Sequence, residues 1–169
     1  MKIETQNNPE LARLGALIES MSVAMLTTRE TDGALVSRPM SPLEMDAHGA
    51  VWFFTDRRSE KIEHLGAVNL AFTDTAEATY VSVSGHGEID TDRARIERLW
   101  TPFARPWFPD GVESPDLALL KIVPATAEYW DTPHGKMVRM FAMAASIVAG
   151  KPIGMGENET LTHLSSLAN

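Results

Sequence analysis

The chain has no cysteine in its 169 residues, which excludes disulfides, thiolate metal sites and cysteine nucleophiles together. Positive charge is scarce. Fifteen Lys and Arg face 23 Asp and Glu, for a net charge of −8, so the broad basic face that a nucleic-acid partner requires is not expected. Long apolar runs are missing as well. The longest, Met140 to Ala149, is about half of the ~20 residues that a membrane-spanning helix needs. The start, Met1-Lys2-Ile3-Glu4-Thr5-Gln6, is polar and lacks the apolar segment of a secretory signal. These absences make a cytoplasmic protein with neither a membrane nor a nucleic-acid partner the expectation. The five histidines, His48, His64, His86, His134 and His163, lie far apart without ligand spacing, so no histidine metal cluster is expected. No Gly-x-Ser-x-Gly elbow is present, and no Ser/His/Asp set can be nominated.

What is present is the composition of an ordinary folded domain, 44% hydrophobic and 22% charged. Asn8-Pro9-Glu10 reads as a cap, a first-turn proline and a first-turn acid, followed by Leu11, Leu14, Leu17, Ile18 and Met21 at helical spacing. Strands are predicted over 22–28 and 34–40, joined at Asp32-Gly33, with Pro39 confined to an edge or a bulge because it has no N–H to donate. A loop around Asp46 leads to Val51-Trp52-Phe53-Phe54-Thr55, a buried strand by composition. Alternation predicts two further strands, over 68–73 and 80–89.

Asp90-Thr91-Asp92 opens a helix whose apolar face is Ile96, Leu99, Trp100 and Phe103, ending at Pro106. Two strands, 117–123 and 127–130, are predicted with a break at Pro124, then a weakly amphipathic helix over 136–149. Six or seven strands in hairpin order suggest a small antiparallel barrel with flanking helices, a β-rich α+β class. Residues 1–150 form a single domain in this reading, and 151–169 a Gly/Ser/Thr-rich tail that is partly mobile. Gly85-His86-Gly87-Glu88 lacks the third glycine of a dinucleotide fingerprint and reads as a β-bulge.

The chemistry concentrates after the aromatic strand. Asp56-Arg57-Arg58 leads to Ser59, a preferred N-cap, and Ile62 and Leu65 follow at helical spacing with Gly66 as a stop. Arg57, Arg58 and Lys61 thus stand at a predicted helix start, where free N–H groups and the dipole attract a phosphate. The bland alternative is a solvated basic turn. Arg38, on the predicted edge strand, carries a planar fork suited to phosphate or a polar heterocycle, or is simply an exposed strand arginine.

Ser37-Arg38-Pro39-Met40, Trp52-Phe53-Phe54-Thr55, Ser59-x-Lys61, Ser84-Gly85, Leu99-Trp100, Trp107-Phe108-Pro109-Asp110-Gly111 and Glu128-Tyr129-Trp130-Asp131 together resemble the pyridoxamine-phosphate-oxidase-like split-barrel flavoproteins. The last two blocks point to the bacterial general stress protein branch. The resemblance implies a split barrel, a homodimer and FMN at the dimer interface; FAD is not distinguished, because it shares the ring and first phosphate. It implies that Arg38, Pro39 and Met40 line the flavin and ribityl chain, that Phe54 and Thr55 face the ring, and that Ser59 and Lys61 hold the phosphate. Family oxidases carry arginine where Glu60 stands, so Glu60 is expected to turn outward, with Arg58 or Arg57 replacing the charge. Trp130 either caps the ring, from the same or the other subunit, or packs in the core.

Pyridoxamine-phosphate oxidases end in a tryptophan and an Arg-Pro segment, which this chain lacks after Trp130. The implied function is therefore an FMN-binding stress protein without evident pyridoxamine-phosphate oxidase activity. The alternative is a flavin-dependent oxidoreductase reducing a small molecule with NAD(P)H. No residue is nominated as catalytic.

Overall fold

The structure, a computed structural model, describes residues 1–131, 146, 157–162 and 164. Helix α1 spans Pro9–Ile18, and the Asn8 side chain accepts a hydrogen bond from the Glu10 N–H at 2.8 Å, as the sequence predicts. Its apolar stripe, Leu11, Leu14, Leu17 and Ile18, is buried against the sheet.

Among the described residues nine strands form one sheet: β1 (Lys2–Ile3), β2 (Ala24–Arg29), β3 (Leu35–Met40), β4 (Glu44–Met45), β5 (Val51–Asp56), β6 (Val68–Asp74), β7 (Thr79–Asp90), β8 (Leu117–Asp131) and β9 (Glu157–Leu161). Their order is β1-β4-β5-β8-β7-β6-β2-β3, with β9 added on β8. Only β1 and β4 run parallel; every other pairing is antiparallel. The expectation of six or seven strands is thus short by the small strands β1 and β4, which carry no periodic signal, and by β9, which lies in the segment read as a tail. No pairing joins β1 to β3 among the described residues, so the sheet has two free ends.

The β2–β3 hairpin turns at Asp32-Gly33, where Gly33 has φ +87° and the Asp32 carboxylate accepts from the Ala34 N–H at 2.9 Å. β3 is an end strand, which is where Pro39 is tolerated. β5 is buried on both faces. Val51 and Phe53 enter the main core under α1, while Trp52 and Phe54 enter a second core with Ile96, Leu99 and Leu119.

β8 is one strand rather than two. Ser84 pairs with Thr126 and Gly85 with Pro124, so Ala125 is the extra residue, and the bulge lies on β8 opposite Ser84/Gly85. Pro124 sits beside this irregularity, where a missing N–H costs least. Gly85 is needed there, because a Cβ would lie 2.0 Å from the Val123 carbonyl oxygen.

Two predicted helices differ. Helix α2 spans Arg93–Leu99, capped by the Asp92 side chain, and stops well before Pro106. The backbone turns extended at its C-cap Trp100 (φ −62°, ψ 134°), Pro102 holds Thr101 in the extended region as well (φ −135°, ψ 152°), and Phe103, assigned to the buried face, is exposed on a short 3₁₀ turn. The helix expected from Ser59 is a five-residue 3₁₀ turn, Glu60–His64. The helix predicted over 136–149 lies outside the described residues except for Ser146.

Candidate functional site

A cavity of about 940 Å³ opens between the end of β3, the exit of β5, the 60–64 turn and the aromatic segment after α2. That volume is within the range of small-molecule and cofactor sites. Six of the residues predicted from the sequence line it: Pro39, Met40, Phe54, Thr55, Ser59 and Lys61.

Its walls differ in chemistry. At one end Phe54 packs against Trp100 (ring centroids 5.6 Å) and Phe108 (6.4 Å), and Leu43 and Phe108 complete an apolar surface. At the other end stand Thr55, Asp56, Ser59 and Lys61. Lys61 is buried, and its ammonium donates to the Ser59 hydroxyl at 3.0 Å. It forms no ion pair among the described residues. Burial pushes its pKa below the ordinary lysine value, the nearby Arg38 cation adds to that push, and Asp56 opposes it. A buried ammonium with no carboxylate at ion-pair distance among the described residues is poised to gain from an anion.

The short 3₁₀ turn changes the argument for that anion. Ser59 makes no side-chain cap to the turn, so its hydroxyl is free to accept from Lys61, and five residues build little dipole. Attraction for a phosphate therefore rests on side chains rather than on a helix start.

Arg38 does not line the cavity, yet it is close enough to Lys61 for the two charges to interact. Its guanidinium donates to the Thr28 hydroxyl at 3.0 Å and to Glu30 at 3.4 Å. Arg58 is exposed and engaged elsewhere, donating to Asp56 at 3.0 Å and pairing with Asp116 at 3.2 Å. It holds the Asp56 carboxyl below its usual pKa and offsets a negative charge on the cavity wall. Glu60 is exposed, as its sequence position requires.

Trp130 lies near the far end of β8, opposite Tyr80, and is 41% exposed. It is neither in the core nor on this cavity. The sequence reading missed Leu43, Phe103, Trp107 and Phe108 as wall residues. The Trp107-Phe108-Pro109 block was the available signal, since three bulky rigid residues in a turn-rich loop have little use unless they cover something. Among the described residues no group of three or more His, Asp or Glu could hold a metal, and no helix is long and apolar enough to cross a membrane.

Comparison with known proteins identifies the family and similar structures. The family model for pyridoxamine 5'-phosphate oxidase like proteins matches residues 9–153. A structure from Jannaschia sp. CCS1 that carries the general stress protein 26 name is 29% identical, covering 89% of this chain and 99% of that one, with a TM-score of 0.71. The general stress FMN/FAD binding protein from Xanthomonas citri is 32% identical over 73% of this chain and 89% of its own, with a TM-score of 0.62. Protein bli-3 of Neurospora crassa is 27% identical over 152 residues, 82% of this chain and 73% of that protein.

Proposed function

This chain belongs to the pyridoxamine 5'-phosphate oxidase-like family, in its general stress protein branch, and on that premise we propose that it is an FMN-binding protein. The observation that carries the reading is the buried Lys61 ammonium, beside Ser59 and without an ion pair among the described residues, at the polar end of a 940 Å³ cavity whose other end is aromatic. A flavin mononucleotide has this polarity, a dianionic phosphate at one end and a flat aromatic ring at the other.

In this reading Lys61 and Ser59 bind the phosphate, with Arg38 adding charge from behind. Pro39 and Met40 border the ribityl chain and ring, and Phe54 and Thr55 form the wall the ring faces. Arg58 acts from the rim by offsetting Asp56. Bound FMN would supply one- and two-electron redox chemistry, and the protein positions it and excludes water. FAD shares the groups these residues would touch.

The same reading makes the protein a cytoplasmic homodimer, with residues 1–150 forming one split-barrel flavin domain. The exposed Trp130 and Tyr80, paired across β8 and β7, support a second copy of the chain, and only from such a copy would Trp130 reach a ring. Pyridoxamine-phosphate oxidase activity is not part of the reading.

Protein purified from an expressing cell should be yellow, or should take up added FMN with quenching of flavin fluorescence. Colourless protein that leaves FMN fluorescence unchanged in titration sinks the proposal. Stopped-flow mixing of the loaded protein with NADH and NADPH then separates a carrier from a nicotinamide-linked reductase.

A further inference from the structure

Beyond the cavity wall, one carboxylate ties together three elements that the flavin reading uses separately. Glu30 follows β2 and closes the hairpin, its N–H donating to the Ala34 carbonyl at 2.8 Å. One carboxylate oxygen accepts from the Thr28 hydroxyl at 3.1 Å and from Arg38 at 3.4 Å; the other lies 3.0 Å from His64 Nε2, at the end of the 60–64 turn. The Thr28 hydroxyl itself accepts from Arg38 at 3.0 Å. Both terminal nitrogens of Arg38 are therefore committed to this one network, and the turn that carries Lys61 is fastened to the same carboxylate.

The electrostatics give the arrangement a purpose. Arg38 and Lys61 carry like charges that interact unfavourably, so an unrestrained Arg38 gains by swinging its long stem into water. The Glu30 acceptor oxygen, at a reach set by the length of its side chain, and the Thr28 hydroxyl hold the guanidinium against that tendency. Side chains ordered before a ligand arrives need not be ordered by it, and that pre-organisation is a direct gain in affinity.

We infer that Glu30 is a positioning residue for the phosphate end of the site, holding Arg38 beside Lys61 and anchoring the 60–64 turn to the β2–β3 hairpin. The inference rests on the flavin reading above. It differs from a purely structural role in one respect: its effect is confined to ligands that carry the phosphate.

The test measures dissociation constants for FMN and for riboflavin, which lacks the phosphate, in the parent protein and in Glu30→Ala, Glu30→Gln and Glu30→Asp. Gln keeps the length and an acceptor for Arg38, whereas Asp keeps the charge but shortens the reach. FMN binding is expected to weaken about tenfold in Glu30→Ala, nearly as much in Glu30→Asp, and little in Glu30→Gln. Riboflavin binding is expected to be the same in all four proteins. Parallel loss of riboflavin overturns the inference, because it marks general damage. So does unchanged or tighter FMN binding in Glu30→Ala, or retention by Asp with loss in Gln, which marks a charge effect without positioning. Should the Ala variant fail to fold, the Gln–Asp contrast decides. A parent protein that binds neither ligand removes the flavin reading and this inference together, whereas a parent that binds FMN leaves the Glu30 variants to test this inference alone.

Discussion

Lys61 shows how much one side chain depends on its surroundings. On an exposed turn an ammonium has water as partner and binds phosphate weakly, but here it is buried, donates to the Ser59 hydroxyl and forms no ion pair among the described residues. Lys61→Met keeps the stem and removes the charge, and should cost FMN binding about 1.5–3 kcal/mol, roughly 10- to 150-fold. Riboflavin affinity should stay unchanged in the same titration. Because burial and Arg38 lower the lysine pKa, FMN affinity in the parent should fall as the solution becomes alkaline, beginning below the ordinary lysine range. The Met variant should lose that dependence.

Glu44 presents the opposite case. Fully buried on β4, it accepts both terminal nitrogens of Arg98 at 2.7 and 2.8 Å, with Lys2 at 3.5 Å. The Arg98 guanidinium holds its carboxyl below the usual range. A depressed native pKa contributes stability that is complete above the unfolded value, about 4.3, and is lost as pH falls through the lowered native value. Denaturant melts between pH 7 and pH 3 should therefore show the parent losing stability more steeply than Glu44→Gln at the acid end. Equal slopes would remove this account of the pair.

Among the elements, the long strand β8 holds the sheet together, pairing with β5 along its first half, with β7 along most of its length and with β9 near its end. Its irregularity at Ala125 is matched to Gly85 on β7, where no side chain fits under the Val123 carbonyl. Gly85→Ala should cost about 3 kcal/mol, seen as a lower urea midpoint, because the obstacle is backbone and cannot rotate away. An unchanged midpoint would mean that the two strands can separate there cheaply. The bulge was readable in the Gly85-x-Gly87 spacing, but its location on the partner strand was not, since register is a property of the pair. The 3₁₀ turn at 60–64 was misread as a helix for a related reason. Ile62 and Leu65 have helical spacing, yet the chain must re-enter the sheet at Val68, and too few residues remain for a stable helix.

At the scale of the whole molecule, ligand and subunit association both act on stability by mass action. FMN at a hundred times its dissociation constant should add about 2.7 kcal/mol, which for a chain of this size is a Tm rise of roughly 5–10 °C. Riboflavin should give a smaller rise. If the protein works as a homodimer, Tm should also climb with protein concentration, and sedimentation equilibrium should return twice the chain mass of 18.6 kDa. A monomer at every concentration would leave Trp130 without a role at the ring.

Local periodicity determined much of this protein. The capped Leu-rich helix, the Asp32-Gly33 hairpin, the aromatic strand buried on both faces and the alternating strands of the central sheet follow from side-chain spacing, because backbone hydrogen bonding and burial act on neighbours in the chain. The motif residues Pro39, Met40, Phe54, Thr55, Ser59 and Lys61 were legible too, and they meet at one cavity. Tertiary structure alone decided which cations are free. Arg58 is committed to Asp56 and Asp116, Arg38 to Thr28 and Glu30, and only Lys61 lies buried with no ion pair among the described residues. It also decided that Phe103 is exposed while Phe108 closes the cavity, and that Trp130 stands far from it. Charge pairing and burial arise between residues distant in sequence, so no window of the chain carries them.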